Sequence, residues 1–77
     1  MPNLNYDFTG RTVIITGAAQ GIGLEVGRFF QTAGASTFLV DYDGEAVEAA
    51  AAQLGATGVR ADVSNTDDVE RAVKAAV

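Results

Sequence analysis

The 77-residue sequence contains no cysteine and no histidine. Without cysteine it has no disulfide, and without either residue the usual zinc ligand sets are excluded. Cations are scarce as well. Five Lys and Arg stand against ten Asp and Glu, for a formal net charge of −5. No basic stripe is available to neutralise a phosphate backbone, which argues against nucleic acid as a partner. Apolar runs are only a few residues long, far short of a membrane span. The opening MPNLNYDFTG has neither a basic nor an apolar signal region, so no secretory leader is expected. This composition suits a cytoplasmic protein.

What the sequence does have is a regular alternation of patterns. Residues 11–16 (RTVIIT) form a β-branched apolar run, the mark of a buried parallel strand. In residues 22–33, Ile22, Val26, Phe29, Phe30 and Ala33 fall on one helical face, and Gly34 follows where a left-handed cap is wanted. Residues 36–40 read as a second strand with Asp41 at its tip. Residues 45–54 read as a second helix lined by Val47, Ala50, Ala51 and Leu54 and stopped by Gly55. Residues 57–63 read as a third strand. Ser64 then has the place of an N-cap, with Asp67 in capping-box position, before a third helix lined by Val69, Ala72, Val73 and Ala76. The order β-α-β-α-β-α predicts an α/β fold with a parallel sheet and right-handed crossovers. Residues 1–77 therefore read as one unit, the N-terminal half of a Rossmann-type three-layer fold with strand order 3-2-1.

The stretch Thr16-Gly17-Ala18-Ala19-Gln20-Gly21-Ile22-Gly23 leaves the first strand and enters the first helix. Gly17 suits a tight turn, Gly21 lets backbone approach a pyrophosphate, and Gly23 lets the helix pack close to the strand. The helix N-terminus offers free amides to phosphate. Glycines alone say little, but a strand before, a helix after and an acidic residue on the next strand point to a dinucleotide site. The turn has no Gly-Lys-Ser/Thr ending, so it is not a P-loop. The carboxylates Asp67 and Asp68 are read as helix N-terminal charges favoured by the dipole, rather than as a metal site.

Asp41 lies 18 residues after Gly23. At the end of the second strand its carboxylate can accept from the adenosine ribose hydroxyls and would repel a 2′-phosphate. Neither Gln20 nor Tyr42 brings a compensating cation, so NAD(H) is expected over NADP(H). Asp62 and Val63 close the third strand at the same edge. Asp62 either accepts from the adenine amino group or caps the following helix, and position alone leaves both open.

Together these residues resemble the short-chain dehydrogenase/reductase family. Thr16-Gly17-Ala18-Ala19-Gln20-Gly21-Ile22-Gly23 matches that family's Thr-Gly-x-x-x-Gly-Ile-Gly turn at every fixed place, and Phe8-Thr9-Gly10-Arg11 resembles its usual approach to the first strand. The resemblance implies a cofactor site made by Gly17, Ala19, Gln20, Gly21, Ile22 and Gly23, with Asp41 at the ribose and Asp62 and Val63 at the adenine; Tyr42, next to Asp41, is counted among the cofactor-binding residues. It also implies hydride transfer between a nicotinamide and an alcohol or carbonyl. The family's Asn-Ala-Gly stretch, catalytic Ser and Tyr-x-x-x-Lys pair do not occur here. Tyr6 and Tyr42 are followed four places on by Gly10 and Ala46, and Lys74 is the sole lysine. These residues by themselves are expected to be inactive.

In a half fold the first strand lacks its fourth-strand neighbour, which leaves Val13, Ile14 and Ile15 on an open edge. Self-association, or association with a missing C-terminal half, is expected. Three readings remain: the NAD(H)-binding part of a short-chain oxidoreductase, a stand-alone or engineered self-associating nucleotide-binding half-domain, and an α/β piece that binds nothing.

Overall fold

The computed structural model describes residues 7–76. The lead-in reading of residues 1–6, and Val77, lie outside the described residues. In chain order the elements are β1 (Thr12–Thr16), α1 (Gly21–Thr32), β2 (Ser36–Asp41), α2 (Gly44–Leu54), β3 (Thr57–Arg60) and α3 (Thr66–Ala76). All strand pairs are parallel. Thr12 to Thr16 run beside Ser36 to Val40, and Phe38 to Asp41 run beside Thr57 to Arg60. The strand order is β1-β2-β3, counted from the β1 edge. The order 3-2-1 expected from the sequence names the same neighbours from the opposite edge, with β2 central in both.

Successive side chains of a strand point to opposite faces, and β2 builds a core on each. Leu39 packs with Ala18 and with Val47, Ala50 and Ala51 of α2. The next residue, Val40, packs on the other face with Ala61 and with Ala72 of α3. The result is helix, sheet, helix: α1 and α2 on one side and α3 on the other. Both αβ connections use glycine as expected. Gly34 and Gly55 have φ of +98° and +74°. Ala35 N–H donates to Phe30 O and Ala56 N–H to Ala51 O, closing a Schellman turn at each helix end.

Four expectations need correction. First, the Ile22, Val26 and Phe29 stripe does not carry α1 onto the sheet; these residues are 84%, 38% and 46% exposed. The contact is made where backbone approaches closest, at Gly27, where an added Cβ would lie 2.6 Å from Leu39 Cδ2. The bulkier stripe is thereby turned outward. Second, β1 is not fully buried, because it is an edge strand and its residues alternate exposed and half-buried. Third, β3 ends at Arg60 rather than residue 63. Asp62 N–H donates to Asp68 Oδ2 and Asp62 O accepts from Asn65 N–H, so the chain turns away from the sheet. Fourth, the cap of α3 is Asn65, whose Oδ1 accepts from Asp68 N–H at 3.2 Å, and not Ser64. Val69 and Val73 of α3 are also partly exposed, leaving Ala72 and Ala76 as its buried residues.

Candidate functional site

The C-terminal ends of β1 and β2 bring the glycine-rich turn and Asp41 together. Gly17 and Gly21 have φ of +62° and +65°, a region that L side chains avoid. Gly23 is required for a different reason. A Cβ there would collide with the Gly17 carbonyl oxygen and lie 3.1 Å from Ala18 Cα. The turn is thus folded tightly against the first turn of α1. Ala18, fully buried, anchors it by donating its N–H to Val40 O at 3.2 Å.

Asp41 ties the turn to β2. Its Oδ2 accepts from Ala19 N–H and its Oδ1 from Asp43 N–H, each at 3.0 Å. The Asp43 amide, followed by the Ala19 amide, holds the Asp41 carboxyl below its ordinary pKa, against a smaller opposing effect of burial. Each carboxylate oxygen keeps further acceptor capacity. Asp41 can therefore accept from a ligand hydroxyl while it fixes the turn.

The N-terminus of α1 differs from the other two. Asp43 Oδ1 caps α2 by accepting from Ala46 N–H, and Asn65 caps α3. Both of those helices also carry acidic residues in their first turns. Gln20, at the N-cap of α1, is extended and makes no side-chain cap bond, and the first turn of α1 has no acidic residue. Its opening amides have no intrahelical acceptor and form the positive end of the helix dipole. Such an end suits an external anion, which fits the diphosphate of a dinucleotide.

Tyr42 and Ile22 flank this cradle, 68% and 84% exposed. Asp62 and Val63 lie just beyond β3 at the same sheet edge, with Val63 exposed. Asp62 Oδ1 accepts from Ser64 Oγ at 2.6 Å and Ser64 N–H at 2.9 Å. The Ser64 hydroxyl first, then its amide, lowers the Asp62 carboxyl, with Asp68 opposing and Arg60 assisting. Asp62 thus organises the turn into α3 but is not its cap. Among the described residues, no group of three or more potential metal-ligating side chains occurs, and no helix is long and apolar enough to cross a membrane.

Sequence reasoning missed Arg60. It is the register partner of Asp41, and its guanidinium carbon lies 5.8 Å from the Tyr42 ring centroid. The signal lay in strand pairing, because Arg60 is 19 residues from Asp41 in sequence.

A family model described as short chain dehydrogenase matches residues 11–77. An uncharacterized oxidoreductase of Mycobacterium bovis is 46% identical over 71 residues, covering 87% of this chain and 29% of that protein. A 3-ketoacyl-(acyl-carrier-protein) reductase from Brucella melitensis, solved in complex with NADH, superposes with a TM-score of 0.87 at 38% identity, covering 91% of this chain and 30% of that one. The Pseudomonas aeruginosa RhlG/NADP complex superposes with a TM-score of 0.84 at 27% identity, covering 96% of this chain and 32% of that one. The chain thus spans about three-tenths of the length of these relatives.

Proposed function

The chain belongs to the short-chain dehydrogenase family, and from that premise we propose that it is the dinucleotide-binding part of an NAD(H)-dependent oxidoreductase. When bound, the nicotinamide of such a cofactor gives or takes a hydride, here in exchange with an alcohol or carbonyl substrate. The observation that carries this reading is the union of an uncapped α1 N-terminus with an Asp41 carboxylate locked onto the turn beside it. Backbone amides of Gly17, Ala19, Gln20, Gly21 and Ile22 hold the diphosphate, and Gly23 keeps the helix close enough for them to do so. Asp41 accepts from the ribose hydroxyls and disfavours a 2′-phosphate, so NAD(H) binds more tightly than NADP(H). Tyr42, Asp62 and Val63 bound the adenine. Residues 1–77 act as a cofactor-binding half without a catalytic Ser or Tyr-x-x-x-Lys of their own, in a cytoplasmic protein.

Calorimetric titration tests this. NADH should bind saturably, NADPH more weakly, and Asp41→Ala should weaken NADH about tenfold, as expected for a lost charge-assisted hydrogen bond. Equal NADH affinity in wild type and Asp41→Ala would contradict the ribose role.

The edge position of β1 supports a second reading, a self-associating half-domain. β1 pairs only with β2 among the described residues, and Ile14 is 38% exposed. Open apolar edges favour pairing with another chain.

A further inference from the structure

The five cations of this chain are Arg11, Arg28, Arg60, Arg71 and Lys74. Arg11 precedes β1, and Arg28, Arg71 and Lys74 lie on helices. Arg60 alone stands at the C-terminal end of a strand, the edge that holds the candidate cofactor site. Its pairing with Asp41 puts the two residues side by side on neighbouring strands, roughly 4.8 Å apart and on the same sheet face. The side-chain stem runs over the start of α2: a Cβ built on Gly44 would lie 3.2–3.3 Å from Arg60 Cβ, Cγ and Cδ. The guanidinium ends over the Tyr42 ring, directly after Asp41 in sequence.

We infer that Arg60 is a specificity-determining residue of the adenosine subsite. Its guanidinium, seated over Tyr42 beside Asp41, offers a cation to a phosphate on the ribose 2′ position and softens the discrimination that Asp41 imposes. The inference rests on the cofactor reading above.

Three features support it. Arg60 is outside the close ion pairs found among the described residues, Arg28–Glu25 and Arg71–Asp68, and its charge acts on Asp62 and Asp68 only at longer range. Its hold on Tyr42 is a surface contact, because Tyr42 is exposed, and such contacts are weak enough to yield to a phosphate. A planar guanidinium can also bind a phosphate through two parallel N–H bonds. Asp41, meanwhile, already spends one acceptor position of each oxygen on a backbone amide. A 2′-phosphate arriving here meets one carboxylate and a guanidinium held by no close ion pair among the described residues, rather than a carboxylate alone.

The test is calorimetry on the 77-residue chain with NADH and NADPH. It compares wild type, Arg60→Met and Arg60→Lys, with circular dichroism confirming the fold of each. Methionine keeps an aliphatic stem over Gly44 and removes only the charge. In Arg60→Met the NADPH dissociation constant should rise about fivefold or more, while that for NADH stays within about twofold. Arg60→Lys should fall between. In wild type, added salt should weaken NADPH more than NADH. This salt dependence and the Lys variant carry the test if the Met variant does not fold. An NADPH-to-NADH ratio unchanged in Arg60→Met, or in Arg60→Lys with no differential salt effect, would overturn the inference while leaving the cofactor reading intact. A folded wild-type chain that binds neither nucleotide would overturn both, which is a distinct result.

Discussion

At the residue scale, the site depends on a few positions whose side chains, or lack of them, cannot be exchanged. Gly23→Ala would drive a methyl into the Gly17 carbonyl, and neither backbone segment can yield cheaply. The expected cost is about 1–3 kcal/mol in urea unfolding, with cofactor binding lost alongside. A neutral result would mean that the turn and α1 are less tightly joined than described. Asp41, Asp62 and Asp68 all have carboxyl pKa values lowered in the fold. For Asp41 the first cause is the Asp43 amide, for Asp62 the Ser64 hydroxyl, and for Asp68 the Asp62 amide. A depressed carboxyl pKa adds stability above the unfolded value, about 3.9, and that stability is lost as pH falls through the lower folded value. Unfolding midpoints should therefore be level from neutral pH to about pH 4 and fall below it. A midpoint that rises on acidification would contradict these hydrogen bonds. The glycines and Asp41 were legible in the sequence because a fixed spacing between strand and helix gives each one geometric task. The second task of Asp41, holding Ala19 and Asp43, was not legible, since backbone amides leave no trace in residue type.

At the element scale, alternation of patterns was enough to reveal three strands and three helices, because the runs from β1 to α2 are set off by glycines and the third helix begins at a Ser-Asn cap pair. Element ends and faces were harder. Ser64 and Asn65 are both good caps, and what decides between them is Asp62, which engages Ser64 and leaves Asn65 to cap. Asn65→Ala should lower stability by about 1 kcal/mol. The readout is helix content followed through urea unfolding, and a loss in Ser64→Ala matching that in Asn65→Ala would return the cap to a shared role. On α1, hydrophobicity pointed to Ile22, Val26 and Phe29, whereas the packed position is Gly27. Periodicity finds an apolar face but does not report that a glycine permits closer approach than a valine. Gly27→Val should therefore destabilise by more than about 2 kcal/mol, while Val26→Ser stays within about 0.5–1 kcal/mol. The reverse ranking would restore the stripe as the packing face.

At the scale of the whole molecule, β1 and β3 are the edge strands of the three-stranded sheet among the described residues, and Ile22 and Val26 of α1 are exposed. Buried residues lie on both faces of the sheet, but the largest fully buried side chains are only Leu39, Val40 and Val47. With a core this small, Ile14 and Val26 stay 38% exposed and Ile22 84% exposed. Sedimentation velocity should accordingly find self-association that grows with concentration and is reduced by Ile14→Lys on the edge strand. A monomer at all concentrations would contradict the second reading and leave the first untouched. The register that sets Arg60 beside Asp41 also exists only at this scale, because it joins residues on separate strands. The central claim is that the β1–α1 turn, closed by Asp41, is the anion-binding end of a dinucleotide site. Its most direct test is a titration of the isotopically labelled chain with NADH, followed by the amide signals in two-dimensional NMR. The predicted result is saturable shifts concentrated at Gly17, Ala19, Gln20, Gly21, Ile22 and Asp41, with the α2 and α3 interiors unchanged. A folded chain whose turn amides do not move, or whose shifts cluster elsewhere, would contradict it.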